Sequence, residues 1–248
     1  MADSPIHCKN CGEHVRGHYC GNCGQVARTQ RINVQYILTE LQRGLLYFDR
    51  GLMYSFRELF SRPGHSIREF LEGKRVRHFK PISMLIILST FYGLGYHLLG
   101  IDAFSEVDNT NNLREGMLLF EGWMETHYSL MELLYLPAFA ISSYLAFLRG
   151  GYNLIEHIII AAFVFSQGMF VKFALLPFLY LYNHTTAVSQ INNINILIVV
   201  GLIFWTYRQL FRHMAWAKTL VLTLLMLLLV FIQVVLAIVV IASAFGYM

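Results

Sequence analysis

The stretch TLVLTLLMLLLVFIQVVLAIVVIASAFG, residues 219–246, contains no Asp, Glu, Lys or Arg. About 20 mostly apolar residues cross a bilayer core, so a run this long belongs in hydrocarbon. There the backbone must satisfy its own hydrogen bonds, which leaves helices or closed barrels. Helix-length apolar runs recur near 82–99, 129–148, 154–182 and 194–211. The composition agrees: 56% of the 248 residues are apolar, 14% are charged and mean hydropathy is +0.50, whereas soluble domains carry about a quarter charged residues. The expected fold is an all-α integral membrane bundle of about five transmembrane helices. The runs at 154–182 and 219–246 are long enough to tilt or protrude, 194–211 is short, and 129–148 contains Glu132. The polar N-terminus shows no apolar core followed by a small-residue cleavage site, so a secretory signal peptide is not expected and the first span directs insertion.

Orientation follows from the cations, because positively charged flanks stay in the cytoplasm. Thirteen of the nineteen Lys and Arg precede residue 81; Arg149 lies between the second and third spans, and Arg208, Arg212 and Lys218 lie between the fourth and fifth. The loops at 100–128 and 183–193 contain only Arg114. The N-terminus is therefore expected in the cytoplasm and the C-terminus outside. The 100–128 loop, with Asp102, Glu106, Asp108, Glu115, Glu121 and Glu125, would form an acidic outer face, and Met117–Tyr128 an interfacial helix.

All four cysteines stand in the first 23 residues, in HCKNCGEHVRGHYCGNCGQ: Cys8 with Cys11 and Cys20 with Cys23, two CxxC pairs. In an oxidising compartment they would be disulfides; in a reducing cytosol they are thiolates available for metal. A cytoplasmic tip favours zinc, held tetrahedrally by four sulfurs, with Gly12 and Gly24 allowing the tight turns. Four protein ligands leave no position for water, which makes the site structural. The alternatives are redox-active pairs, which lack the surrounding fold such chemistry uses, or a ligand set in which His7, His14 or His18 replaces a cysteine. So small a ribbon, residues 1–26, has almost no apolar core, and metal must supply most of its folding free energy.

Residues 27–80 read as basic, amphipathic juxtamembrane helices. Ile32, Tyr36, Leu41, Leu45 and Phe48 recur at helical spacing, as do Leu52, Met53, Phe56, Leu59 and Phe60, with Arg57 and Glu58 turned away. SRPG at 61–64 interrupts the pattern; Ser66 and Glu69 are spaced as a capping box, and Gly73 is placed to end the helix. A cationic collar follows at Lys74, Arg75, Arg77 and Lys80. Residues 1–80 carry thirteen Lys and Arg against seven Asp and Glu. Nucleic acid is the weaker explanation of that charge; anionic inner-leaflet lipids, worth about 1 kcal/mol per cation, are the stronger one.

Ionisable residues inside spans are functional candidates. His97, Glu132 and Lys172 fall toward the outer side of residues 81–248, where Glu132 and Lys172 can pair, and Glu156 and His157 mark the inner end of the third span, with Gln167 further in. The competing reading is an end-of-helix or packing ion pair. No GxSxG, HExxH or phosphate-cradling glycine loop occurs.

The cysteine tip, RPG at 62–64 and FLEGKRVRHFKPISMLI at 70–86 together resemble an uncharacterised bacterial family of multi-pass membrane proteins tipped by a four-cysteine zinc ribbon. The likeness covers residues 8–90; its Gly, Lys, Arg and Pro positions fall on Gly73, Lys74, Arg75 and Pro81. It implies a bacterial inner-membrane location and carries no activity. The expected function is non-enzymatic: the ribbon docks a cytosolic protein or a second protomer at the membrane. A transporter or channel using the intramembrane polar residues is the alternative, and a lipid-modifying enzyme a third.

Overall fold

The computed structural model describes residues 6–44, 51–101 and 128–244. The acidic segment expected at 102–127, Leu45 and Phe48 lie outside them.

The chain is mostly helical. A two-stranded hairpin, β1 (Ile6–His7) and β2 (His14–Val15), pairs Ile6 with Val15 and His7 with His14. Three short helices follow: α1 (Val34–Gly44), α2 (Gly51–Ser61) and α3 (Pro63–Glu72). The long helices are α4 (Pro81–Leu98), α5 (Tyr128–Ala146), α6 (Leu154–Leu181), α7 (Ala187–Leu210) and α8 (Trp216–Ala244). Four helices, α4, α6, α7 and α8, are long and apolar enough to cross a membrane. The described apolar part of α5, Leu130–Ala146, is shorter than that requirement, so four spans rather than five stand on length and composition.

Helix α6 is central. Helices α4, α5 and α7 pack along it, and α8 covers α5 and α7. Ile159 through Phe163 are buried without a break, which explains why α6 shows no single apolar face. The outward sides of α7 and α8 carry exposed Ile194, Leu197, Val221, Leu224, Leu228 and Phe231. In water such a surface would be costly; against lipid tails it is not.

The three short helices press on the flanks of these long ones. Phe56 and Phe60 meet Phe170, and Phe70 meets Phe163 at 5.2 Å, edge to face. Helix α3 lies on α7 so closely that a Cβ at Gly64 would stand 2.3 Å from both the Leu210 nitrogen and the Thr206 oxygen. The Arg68 guanidinium then donates to the Gln209 and Leu210 carbonyls, which end α7 without intrahelical partners.

Several local expectations are corrected. Helix α3 starts at Pro63, in the first-turn position that needs no N–H; Ser66 is therefore inside the helix, buried, its Oγ 3.5 Å from His78 Nδ1, and is not a cap. Gly73 does end the helix, at φ +115°, with its N–H on the Glu69 and Phe70 carbonyls. Glu58, expected to face away, is buried and pairs with Arg62 at 2.7 Å, while Met53, expected inward, is 74% exposed. Helix α7 begins at Ala187, seven residues before the hydropathic run; Gln190, Asn192 and Asn193 make its first two turns too polar for hydropathy to include.

A buried carboxylate from α1 serves the first long helix. Glu40 Oε1 accepts from the N–H groups of Ile82 at 2.9 Å and Ser83 at 3.4 Å, two of the orphan donors at the start of α4. Burial pushes the Glu40 carboxyl up to about 7, against the lowering effect of those N–H groups and of Lys80. The folded protein thus holds this proton more tightly than the unfolded chain. Its stabilising contribution is fully present below the unfolded value of 4.5 and is lost as pH rises through about 7. Glu40→Gln is expected to flatten the fall in melting temperature between pH 5 and pH 8; an unaltered slope would remove Glu40 from the account.

Candidate metal centre and its attachment to the bundle

The two CxxC turns are near copies. In one, Cys8 N–H donates to the Glu13 carbonyl at 2.9 Å and Gly12 N–H to the Cys8 carbonyl at 2.8 Å; in the other, Cys20 N–H donates to Gln25 at 2.7 Å and Gly24 N–H to Cys20 at 2.8 Å. Gly12 and Gly24 take φ of +79° and +76°, the left-handed conformation a side chain resists. The consequence is convergence: the four sulfurs of Cys8, Cys11, Cys20 and Cys23 lie within 4.8 Å of one another. Cys8 Sγ is 3.5 Å from Cys23 Sγ, and Cys11 Sγ 3.5 Å from Cys20 Sγ.

The donor set fits a single metal ion. The backbone N–H groups of Cys23 and Asn22, helped by neighbouring sulfurs, draw the Cys20 thiol down to about 7. At Cys11 the Glu13 N–H also favours the thiolate, but burial and the three other sulfurs outweigh it and push the thiol up to about 11. Four thiolates this close need a cation to hold them together. Among the described residues the sulfur cluster includes no histidine: the His7 and His14 rings meet each other tilted, centres 4.1 Å apart, His7 Nδ1 lies 3.1 Å from the Gly12 carbonyl, and His18 is exposed. The tip's own core is small, formed by Cys8, Val15, Cys20 and Ala27 with Ile6 and Cys23 against them.

The tip is not a free arm. Gln25, buried directly after the second turn, donates through Nε2 to the Gly73 carbonyl at 2.7 Å and to Thr29 Oγ1 at 3.1 Å, and accepts from the Arg75 N–H at 3.2 Å. Arg31 grips Glu156 with Nε at 2.7 Å and a terminal nitrogen at 2.6 Å, and reaches the Gly151 carbonyl at 2.9 Å. Between these contacts Ile32 is buried in the main core. None of Gln25, Arg31 or Glu40 carries a sequence pattern, because each is defined by a partner 42 to 125 residues away.

The collar divides. Arg77 is exposed and Lys80 half-exposed. Lys74 is engaged with Glu69 at 2.9 Å. Arg75, expected to face lipid headgroups, turns inward: its guanidinium lies 4.8 Å from the Tyr36 ring centre and 5.6 Å from that of Phe70, donating to the Phe70 and Gln30 carbonyls. A flat, weakly hydrated guanidinium can lie against aromatic rings and still donate to two carbonyls.

The five intramembrane candidates do not form one site. Lys172 Nζ meets Glu132 Oε1 at 2.5 Å, joining α5 and α6. His97 is exposed near the end of α4. Glu156 belongs to the other end, where it completes a reciprocal cap of α6 with Asn153, two bonds of 2.8 Å, while holding Arg31. His157 is fully buried with Nδ1 2.7 Å from Ser143 Oγ, which is 2.5 Å from the Tyr207 hydroxyl. Gln167 donates to the Leu59 carbonyl at 2.6 Å and accepts from Thr206 at 3.1 Å, joining α2, α6 and α7.

No curated protein and no solved structure matches the chain. Residues 49–93 match the model of a family described as a protein of unknown function, DUF3667. The matched segment includes α2, α3, the collar and most of α4, the part that packs on α6 and α7.

Proposed function

We propose that this is a non-enzymatic, multi-pass protein of the bacterial inner membrane whose cysteine tip is a structural zinc ribbon that docks a cytosolic protein. The observation that carries the reading is the closed set of four convergent sulfurs. Zinc with four thiolate ligands is tetrahedral and keeps no open position, so the ion shapes a surface rather than performing chemistry. That surface has an outward side: an open groove of about 1010 Å³ between residues 13–18 and 26–28, rimmed by His14, Arg16, His18 and Arg28, with Tyr19 and Val26 exposed beside it. The proposed topology keeps the tip and α1–α3 in the cytoplasm, with α5 as a fifth span. Exposed Val34, Leu38, Met53 and Phe56, set against inward Glu40, Ser55 and Glu58, are the polarity of helices lying on the inner leaflet.

The test is co-purification by the full chain against an Arg16→Glu, Arg28→Glu variant, with zinc measured on both. The expected result is loss of a defined cytosolic partner with zinc retained at about one per chain; equal recovery by both proteins would refute docking through this groove.

The Lys172–Glu132 pair favours a second reading, an ion or solute path. Proteoliposomes carrying the protein would then show a flux that Glu132→Gln with Lys172→Met abolishes. On the docking reading no flux is expected, and the double variant leaves partner recovery intact.

A further inference from the structure

Two strands of contact run from the cysteine tip to the ends of two long helices. The first passes through Gln25. Its backbone carbonyl closes the second CxxC turn on Cys20, so the position of its side chain is set by the same turn that aims Cys20 and Cys23. That side chain holds Gly73, the C-cap of α3, and the Arg75 amide. Arg75 in turn stacks on Tyr36, one helical turn from Glu40, whose carboxylate caps α4. The second strand passes through residues 27–31. The Ala27 N–H is fixed on the His18 carbonyl at 2.9 Å, and four residues on Arg31 clamps Glu156, the first-turn residue that completes the Asn153 cap of α6.

Both strands begin in a segment whose core is too small to hold its shape without metal. We propose that the tip is a metal-dependent latch: with the ion bound, Gln25 and Arg31 fix the collar before α4 and the first turn of α6, and loss of the ion releases both. This rests on the metal reading of the four cysteines and adds that occupancy is transmitted to the bundle. Helix α6 carries Lys172, so the latch acts on one of the two helices, α5 and α6, that build the intramembrane ion pair.

Hydrogen exchange on the full chain in phosphatidylethanolamine and phosphatidylglycerol nanodiscs tests this, because the Arg75, Glu156 and His157 amides each have a partner in the structure. Chelation is expected to speed exchange in segments 73–77 and 153–157 about tenfold or more while α8 is unchanged, and added zinc to reverse it. Gln25→Ala should retain zinc and speed 73–77 alone; Arg31→Met should retain zinc and speed 153–157 alone. Zinc removal with unchanged exchange in both segments overturns the latch and leaves the zinc ribbon standing. Acceleration spread evenly through α8 is general unfolding and overturns it as well. A chain that binds no zinc overturns latch and ribbon together.

Discussion

Cys20→Ser is expected to strip the metal and unfold residues 6–31 while the long helices stay folded. Serine is a far poorer zinc ligand than a thiolate, and Cys20 is the thiol the turn draws down to about 7 through the Cys23 and Asn22 N–H groups. In zinc-finger peptides metal binding is worth about 10–16 kcal/mol and is the folding free energy. The tip has no reserve, since two of its four core residues, Cys8 and Cys20, belong to the sulfur cluster itself. Metal analysis should fall from about one zinc per chain to under about a tenth, and limited proteolysis should cut within the tip. The main core, which includes Phe70, Phe163 and Tyr207, is elsewhere, so helical circular dichroism should barely change. His14→Ala is the matched control: an exposed ring outside the sulfur cluster should leave zinc content unaltered. Equal zinc in the wild type and Cys20→Ser proteins would contradict the ligand assignment.

Gly64→Ala is expected to be strongly destabilising. The new Cβ would meet the Leu210 nitrogen and Thr206 oxygen at 2.3 Å and Gln209 Cβ at 2.6 Å. Backbone atoms cannot rotate away, so α3 must lift from α7 and loosen the Arg68 bonds to the Gln209 and Leu210 carbonyls. A cost of about 3 kcal/mol, the upper end for overpacking, is expected. Thermal melting in detergent measures it. Gly201→Ala on α7, where nothing lies within 4 Å, should change the melting temperature little, since alanine is the better helix former. If the two variants melt alike, the close α3–α7 approach is wrong.

The sequence made the long helices readable because hydropathy over about 20 residues is a bulk property that tertiary contacts do not rewrite. Most boundaries came within a few residues; α7 did not, as polar side chains hid its first two turns. The cysteine tip was legible for a different reason, since CxxC spacing and a following glycine specify local geometry. Local signals failed where two competed: the Ser66–Glu69 spacing suggested a cap, but Pro63 opens the helix three residues earlier. They failed again where long-range partners decide. Arg75 reads as one more collar cation until Tyr36 and Phe70 are placed beneath it. Glu156 reads as an intramembrane acid until Arg31, 125 residues away, is brought to it. The expected polar cluster was half present, with Glu132 and Lys172 joined and His97 left exposed.

The central claim is that four cysteines enclose one zinc ion as a structural module. X-ray absorption at the zinc edge on the purified full-length protein tests it most directly. The account predicts about one zinc per chain with four sulfur neighbours at about 2.3 Å and no nitrogen or oxygen in the shell. A shell containing imidazole or water, or a metal-free protein in which Cys8–Cys23 and Cys11–Cys20 are disulfides, would contradict it.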